Sequence, residues 1–480
     1  TAVATQGTQV FGTDALSGGT FAYTDINVGN GNKVVTVSGV TVSDGNSGNN
    51  YVVSYVDNTT STITPKALTA SYTASNKTYD GNATATVTGS SSDIISGDTV
   101  TLSNTSASFD NKNAGLAKTV SVAGISISGS QAANYSLQNT SATATADISK
   151  KDVTLTASNV SKTYDGTLVY NTTSADLAPL TSQLINGDTV TAAVISFTNK
   201  NAGASNKAVT LDHVTLSDGN SGNNYNLTLN GNTTSTITPA ALTIKVNDTA
   251  MFVTQDPNTA FNQGFSFEGL KNGESGANVL GPLTRSYTGA ANPATGSYAS
   301  VFGLSTVPLA DNYTVTVQKG DLTVVAADKL LINVGGKSET YGALTASNAG
   351  ASANTVVAQY CLVSTDCNGA NLANLAMSRQ GSLWTATDVS NSTIRFNTVV
   401  DTAGHTSGGA YLNAGRYTYA ADGLTTSGAV NFNGTVVSGG VLTVDAKQLT
   451  FSASNVSKVY DGTTVLAGMA LTPNGALTGD

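Results

Sequence analysis

The eleven residues Ala157-Ser-Asn-Val-Ser-Lys-Thr-Tyr-Asp-Gly-Thr167 return almost letter for letter at 453–463, where Val459 replaces the threonine. A looser copy spans 74–82 and keeps Tyr79-Asp80-Gly81. Tyr79 and Tyr164 are 85 residues apart, and the closing tyrosines Tyr51, Tyr135 and Tyr225 follow at intervals of 84 and 90. Two independent markers thus give one period. A period of this length makes the chain a tandem array, and each period must supply one folding unit.

The units are read as 1–65, a truncated copy without the Tyr-Asp-Gly opening; 66–150 and 151–239, full copies; and 240–327, which keeps the frame with changed contents. Next come 328–446, a longer copy with its excess at 360–397, and 447–480, the start of a further copy too short to close a core. Each full copy passes an Asn-Lys-Asn-Ala-Gly element (111–115, 199–203) and ends on an Asn-Tyr strand such as Asn224-Tyr225. Runs such as Val34-Val-Thr-Val-Ser-Gly-Val-Thr-Val42 alternate as half-buried strands do. Turn signals at short intervals then predict an all-β fold: tandem small antiparallel, Ig-like β-sandwich domains in an elongated rod. Small mixed-β units with one short helix, near Leu270-Lys-Asn-Gly-Glu274, are the alternative.

Only about four residues separate the last strand of one unit from the first strand of the next, as at Ile148–Val153, far fewer than a flexible linker needs. Pro65 and Pro239 further restrict two seams. Stiff seams fit a rod.

Charge excludes several classes of function. The net charge of −9 is scattered over 480 residues with no basic stripe, which argues against nucleic acid. No run of eighteen apolar residues is present to span a membrane as a helix. The chain opens on Thr1 without a leader, and a longer parent is expected.

The two cysteines, Cys361 and Cys367, are six apart and predict a local disulfide, hence an oxidising compartment. Such a ring removes roughly 2–2.5 kcal/mol of unfolded-chain entropy. It is expected to pre-organise an exposed loop beside Trp384, the single tryptophan, which is read either as a stacking platform for a sugar or as a core anchor.

Tyr-Asp-Gly itself, at Tyr79-Asp80-Gly81, Tyr164-Asp165-Gly166 and Tyr460-Asp461-Gly462, is read as a structural joint. The tyrosine buries its ring with the hydroxyl on backbone, the aspartate caps a turn and the glycine takes positive φ. Asp44-Gly-Asn-Ser-Gly-Asn49 and Asp218-Gly-Asn-Ser-Gly-Asn223 space oxygen donors as calcium loops do, but Ser128–Asn134 in the sister unit has no carboxylate, so a hairpin turn covers all three. His213 stands where Gly39 and Gly124 stand, and His405 has no evident partner. No catalytic constellation, cofactor motif or metal-ligand spacing takes shape. Asn-x-Ser/Thr sites at Asn58, Asn159, Asn171, Asn232 and Asn391 are no more than this composition produces.

The Ser-Lys-Thr-Tyr-Asp-Gly-Thr opening, the Asn-Lys-Asn-Ala-Gly element, the Asn-Asn-Tyr closer and the terminal Ile-Thr-Pro resemble the YDG repeats of large bacterial surface adhesins. Residues 240–327 and 328–446 resemble the related glycine-rich MBG repeats. Both resemble parts of filamentous-haemagglutinin-like exoproteins exported by two-partner secretion. The resemblance implies an extracellular, secreted or surface-tethered, non-catalytic stalk in adhesion, aggregation or biofilm matrix. It also implies an outer-membrane transporter as partner during export, and a host-cell or matrix glycan or protein as ligand. The competing expectation is that the segment itself binds glycan or polysaccharide through 328–446.

Overall fold

The computed structural model describes residues 10–388, 391–408, 410–428, 430–447, 449–451, 473–474 and 477. Tyr460, Asp461 and Gly462, with most of 447–480, lie outside the described residues. The chain is mostly strand, and it forms two compact units. One takes in the chain up to Leu155 with Leu177–Ala193 and His213–Leu229. The other takes in Thr156–Asp176, Val194–Asp212 and the chain from Asn230 onward.

In the first unit, residues 66–150 build a four-stranded sheet in the order Lys77–Thr78, Ser141–Ser149, Gly115–Ala123, Ser106–Phe109. Within Gly115–Ala123, Val120 and Val122 are buried between exposed Thr119, Ser121 and Ala123, the two-residue period of a strand with one covered face. Leu68, Phe109, Ile125 and Ile148 complete the core.

Most sheets of three or more strands are mixed, where purely antiparallel ones were the first expectation. Lys66–Leu68 runs parallel to Tyr135–Leu137, and Lys77–Thr78 runs parallel to the end of Ser141–Ser149. In the second unit Ser161–Thr163 is parallel to Asn232–Thr238, Ala240–Val246 to Tyr313–Gln318, and Leu330–Val334 to Thr435–Gly439. A first strand parallel to a last strand puts chain entry and exit at opposite ends of a repeat. Antiparallel pairing would return both to one end.

Seams are shorter than expected. Only Lys150 separates Ser141–Ser149 from Lys151–Thr156, and only Pro239 separates Asn232–Thr238 from Ala240–Val246.

A bulge recurs after the Asn-Ala-Gly element. Pairing slips between Gly115 and Lys118 and again between Gly203 and Lys207. The extra residues Ala117 and Ser205 take φ of 48° and 52°, and their amides donate to Asp147 Oδ1 (2.7 Å) and Thr236 Oγ1 (2.9 Å). An added residue of this kind bends the strand where it occurs. Two α-helices are present among the described residues, Ser174–Thr181 and Gly276–Leu280. The second begins just after the expected helical turn at 270–274.

Residues 360–397 are not an appendage. They supply Leu372–Leu375 to one sheet, and Ser378–Gln380, Leu383–Thr387 and Thr393–Val400 to a six-stranded one. The excess length widens two sheets.

Candidate functional site

Where two repeats meet inside the first unit, Tyr79 of the earlier repeat is 1% exposed, and its hydroxyl donates to Asp188 Oδ2 of the later repeat at 2.8 Å. The Tyr225 hydroxyl donates to the same oxygen at 2.6 Å and accepts from the Ile185 amide. Lys112 Nζ lies 3.0 Å from Asp188 Oδ1 and over the Tyr79 ring. The two rings meet edge to face at 5.4 Å, a favourable contact for their quadrupoles. Asp188 is 3% exposed, so its charge is tolerable only because every partner is in place.

The second unit repeats the arrangement with glutamate. Tyr164 donates to Glu274 Oε1 at 2.6 Å and Tyr313 donates to Oε2, their rings 5.3 Å apart at 77°. The Lys271 amide donates to the Tyr313 hydroxyl at 2.9 Å. The tyrosine of Tyr-Asp-Gly, the plug of the junction, was expected to bond backbone. It bonds a carboxylate of the next repeat instead.

A second contact accompanies each clamp. Asn224 Oδ1 accepts from the Ala114 amide, and Asn312 Oδ1 accepts from the Ala202 amide, both at 2.8 Å. Asn134 accepts from the Val28 amide at the same distance. The Asn-Ala-Gly element of one repeat therefore meets the Asn-Tyr closer of the next, which explains why both recur together.

Asp80 and Asp165 each accept from a turn amide and from a lysine. Asp80 Oδ1 accepts from the Asn82 amide (3.1 Å) and Lys77 Nζ (2.8 Å); Asp165 Oδ1 accepts from the Thr167 amide (2.9 Å) and Lys162 Nζ (2.7 Å). Burial works against ionisation at both, yet the lysines and the turn amides hold the carboxyls below their usual range. Gly81 and Gly166 take φ of 84° and 77°.

The carboxylates Asp188 and Glu274 escaped the sequence reading. A signal for Asp188 existed, since Gly97-Asp98-Thr-Val100 and Gly187-Asp188-Thr-Val190 place their aspartates 37 residues before Tyr135 and Tyr225. Tyr135 bonds Asp98 at 2.6 Å and Tyr51 bonds Asp14 at 2.7 Å, so four closers share the pattern.

Burial raises the hydroxyl pKa of Tyr164, Tyr225 and Tyr313, and the facing carboxylates add to the rise. At Tyr79 burial also raises it, with Lys112 opposing and Asp188 reinforcing. A proton held more tightly in the folded state contributes stability that is complete below the unfolded value near 10 and is lost as pH climbs through the raised one. Thermal unfolding is therefore expected to show an alkaline decline starting near pH 10. The paired Tyr164→Phe and Tyr313→Phe variant should show a shallower one. Melting curves from pH 8 to 11.5 check this, and equal slopes in both proteins would remove the claim.

The calcium-like loops have another occupation. Asp44 Oδ1 accepts from the amides of Asn46 and Gly48 and Oδ2 from Asn50, and Asp218 repeats this with Asn220, Gly222 and Asn224. Backbone amides thus take the oxygens a cation would need. Among the described residues no group of three His, Cys, Asp or Glu side chains could hold a metal, and no helix is long and apolar enough to cross a membrane. His213 takes φ of 49° where Gly39 and Gly124 take 70° and 66°, and His405 packs its ring on Tyr417.

Cys361 and Cys367 form a disulfide with Cα atoms 5.1 Å apart. Both sulfurs belong to buried residues, while the tip of the ring at 362–365 is exposed. Trp384 is 6% exposed in the core of 328–446; its indole donates to Thr398 Oγ1 at 3.2 Å, and Arg379 lies over the ring. An indole so enclosed offers no face for a sugar.

Residues 64–144 and 149–237 match the profile of the YDG domain, and 242–323 match the MBG domain of YGX type. Domains of both kinds are found in secreted, surface or adhesin-like proteins, and neither family is known for enzymes. No curated protein matches the chain. Among solved structures, the Bacillus anthracis TIE protein aligns over 92% of this chain and 76% of its own at 8% identity, with a TM-score of 0.11 that carries no argument about fold.

Proposed function

We propose that this chain is a non-catalytic stalk segment of a secreted bacterial surface adhesin, filamentous-haemagglutinin-like and exported by two-partner secretion. It projects or presents a binding region in adhesion, aggregation or biofilm matrix. The observation that carries this reading is the tyrosine–carboxylate clamp, built twice from equivalent residues at successive junctions. A junction of buried, hydrogen-bonded side chains resists bending in a way that a solvated linker does not. Support also comes from one-residue seams and from a disulfide, which suits an oxidising exterior. The partners in this reading are an outer-membrane transporter during export and a glycan or protein ligand on host or matrix.

Small-angle scattering of the whole chain tests it. A compact globule of this length has a radius of gyration of about 23 Å. A stalk gives a value well above that and a skewed distance distribution; a near-spherical particle ends the proposal.

A further inference from the structure

The junction between 240–327 and 328–446 has neither a plug tyrosine nor a clamp carboxylate in the usual places. The backbone still marks the plug position. The amides of Tyr79, Tyr164 and Tyr341 donate to the carbonyls of Ser149, Thr238 and Asp445 at 2.9, 2.8 and 2.7 Å. In 240–327 the equivalent bond runs from Val253 to Val325 at 2.8 Å. Within two residues of each tyrosine the chain turns through positive φ at a glycine: Gly81, Gly166 and Gly342. After Val253 the residue is Thr254, at φ 75°. A β-branched residue there is strained and persists only when its surroundings hold it.

What holds it is the disulfide loop. The Cys367 amide donates to Thr254 Oγ1 at 2.9 Å, and Asn368 Nδ2 donates to the Thr254 carbonyl at 2.7 Å. At the preceding junction Asn272 Nδ2 donates to the Gly166 carbonyl at 3.0 Å, a like bond to the positive-φ residue of that turn. Asn272 and Asn368 also occupy equivalent loops. Each follows the strand antiparallel to its repeat's first strand, Phe265–Glu268 on Ala240–Val246 and Val356–Cys361 on Leu330–Val334. Cys361 and Cys367 pack with Ala250, Phe252 and Val325 of the earlier repeat and Leu331 of the later one. Asp366 is half-buried and accepts from Asn368 and Asn371 rather than from a tyrosine.

We propose that the Cys361–Cys367 ring is the socket of a third inter-repeat joint, which receives Thr254, and that covalent closure of the loop replaces the carboxylate acceptor of the other two. The proposal concerns this junction alone and stands whether or not the chain serves as a stalk.

Hydrogen exchange on the full chain tests it, read at peptides covering 249–255 and 366–372. Paired Cys361→Ser and Cys367→Ser substitutions should speed exchange in both peptides at least tenfold, while peptides at 164–167 and 272–275 stay as they are. Thr254→Val keeps the ring and the side-chain shape but removes the acceptor. It should speed the same two peptides several-fold with the rest of 328–446 unchanged, and it serves if the cysteine variant does not fold. Loosening spread evenly through 328–446, or 249–255 unaffected in both variants, would mean that the ring staples only its own repeat.

Discussion

Replacing Asp188 by alanine is expected to lower the stability of its unit by about 3–5 kcal/mol, within the range for leaving two buried tyrosine hydroxyls without their acceptor. The carboxylate accepts from Tyr79, Tyr225 and Lys112, and the two tyrosines are 1% and 3% exposed. Each hydroxyl left without its acceptor costs about 1–3 kcal/mol, because water cannot reach it. The Lys112 side chain is 34% exposed, so solvent recovers its charge and it adds little. Asp98→Ala is the control. Asp98 bonds Tyr135 and is only half-buried, so about 1 kcal/mol is expected. Calorimetry should place the Asp188→Ala transition roughly 6–20 °C lower. If the two alanine variants melt together, the clamp contributes nothing special.

Gly166→Ala should cost roughly 2–5 kcal/mol from two separate sources. An L-residue held at φ 77° costs about 1–2 kcal/mol in backbone strain. The new methyl would also stand 2.5 Å from Asn272 Cβ, an atom whose place is set by its own backbone. Forcing such contacts apart typically costs about 1–3 kcal/mol. At Gly81 the strain is similar, but the neighbour is Ile185 Cγ2 at 2.7 Å, which a rotamer change can move. Gly81→Ala is therefore expected to be the milder of the two. Urea titration of both variants checks the order, and a Gly166→Ala cost below about 1 kcal/mol would show that Asn272 does not press on this turn.

These predictions also show what was legible in advance. Tyr-Asp-Gly, its period and the turn roles of Asp80 and Gly81 could be read because each depends on neighbours a few residues away. The partner of Tyr79 could not, since Asp188 lies 109 residues downstream and a contact between repeats leaves no local periodicity. Gly-Asp-Thr-Val has the composition of a turn, one among many in this chain. Parallel pairing was hidden for the same reason, because the paired strands stand some seventy residues apart, as Lys66 and Tyr135 do. The cysteine spacing announced a ring, but not that Thr254 would sit against it. Trp384 was ambiguous by nature: a lone indole in a long segment reads alike as anchor or platform until its burial is known. The helix Ser174–Thr181 is eight residues with Pro179 inside and carries almost no helical signature.

The clamp has a direction, and that bears on how the protein comes into being. At both clamped junctions the earlier repeat offers a tyrosine near its beginning and the later one receives it with an acid in its middle. A chain emerging amino end first therefore presents Tyr79 long before Asp188 exists to meet it. The hydroxyl must wait in water for about a hundred residues, and folding of each repeat that carries such a tyrosine is finished by its successor. Maturation would then advance along the polypeptide as a travelling front, with the newest module always the least settled.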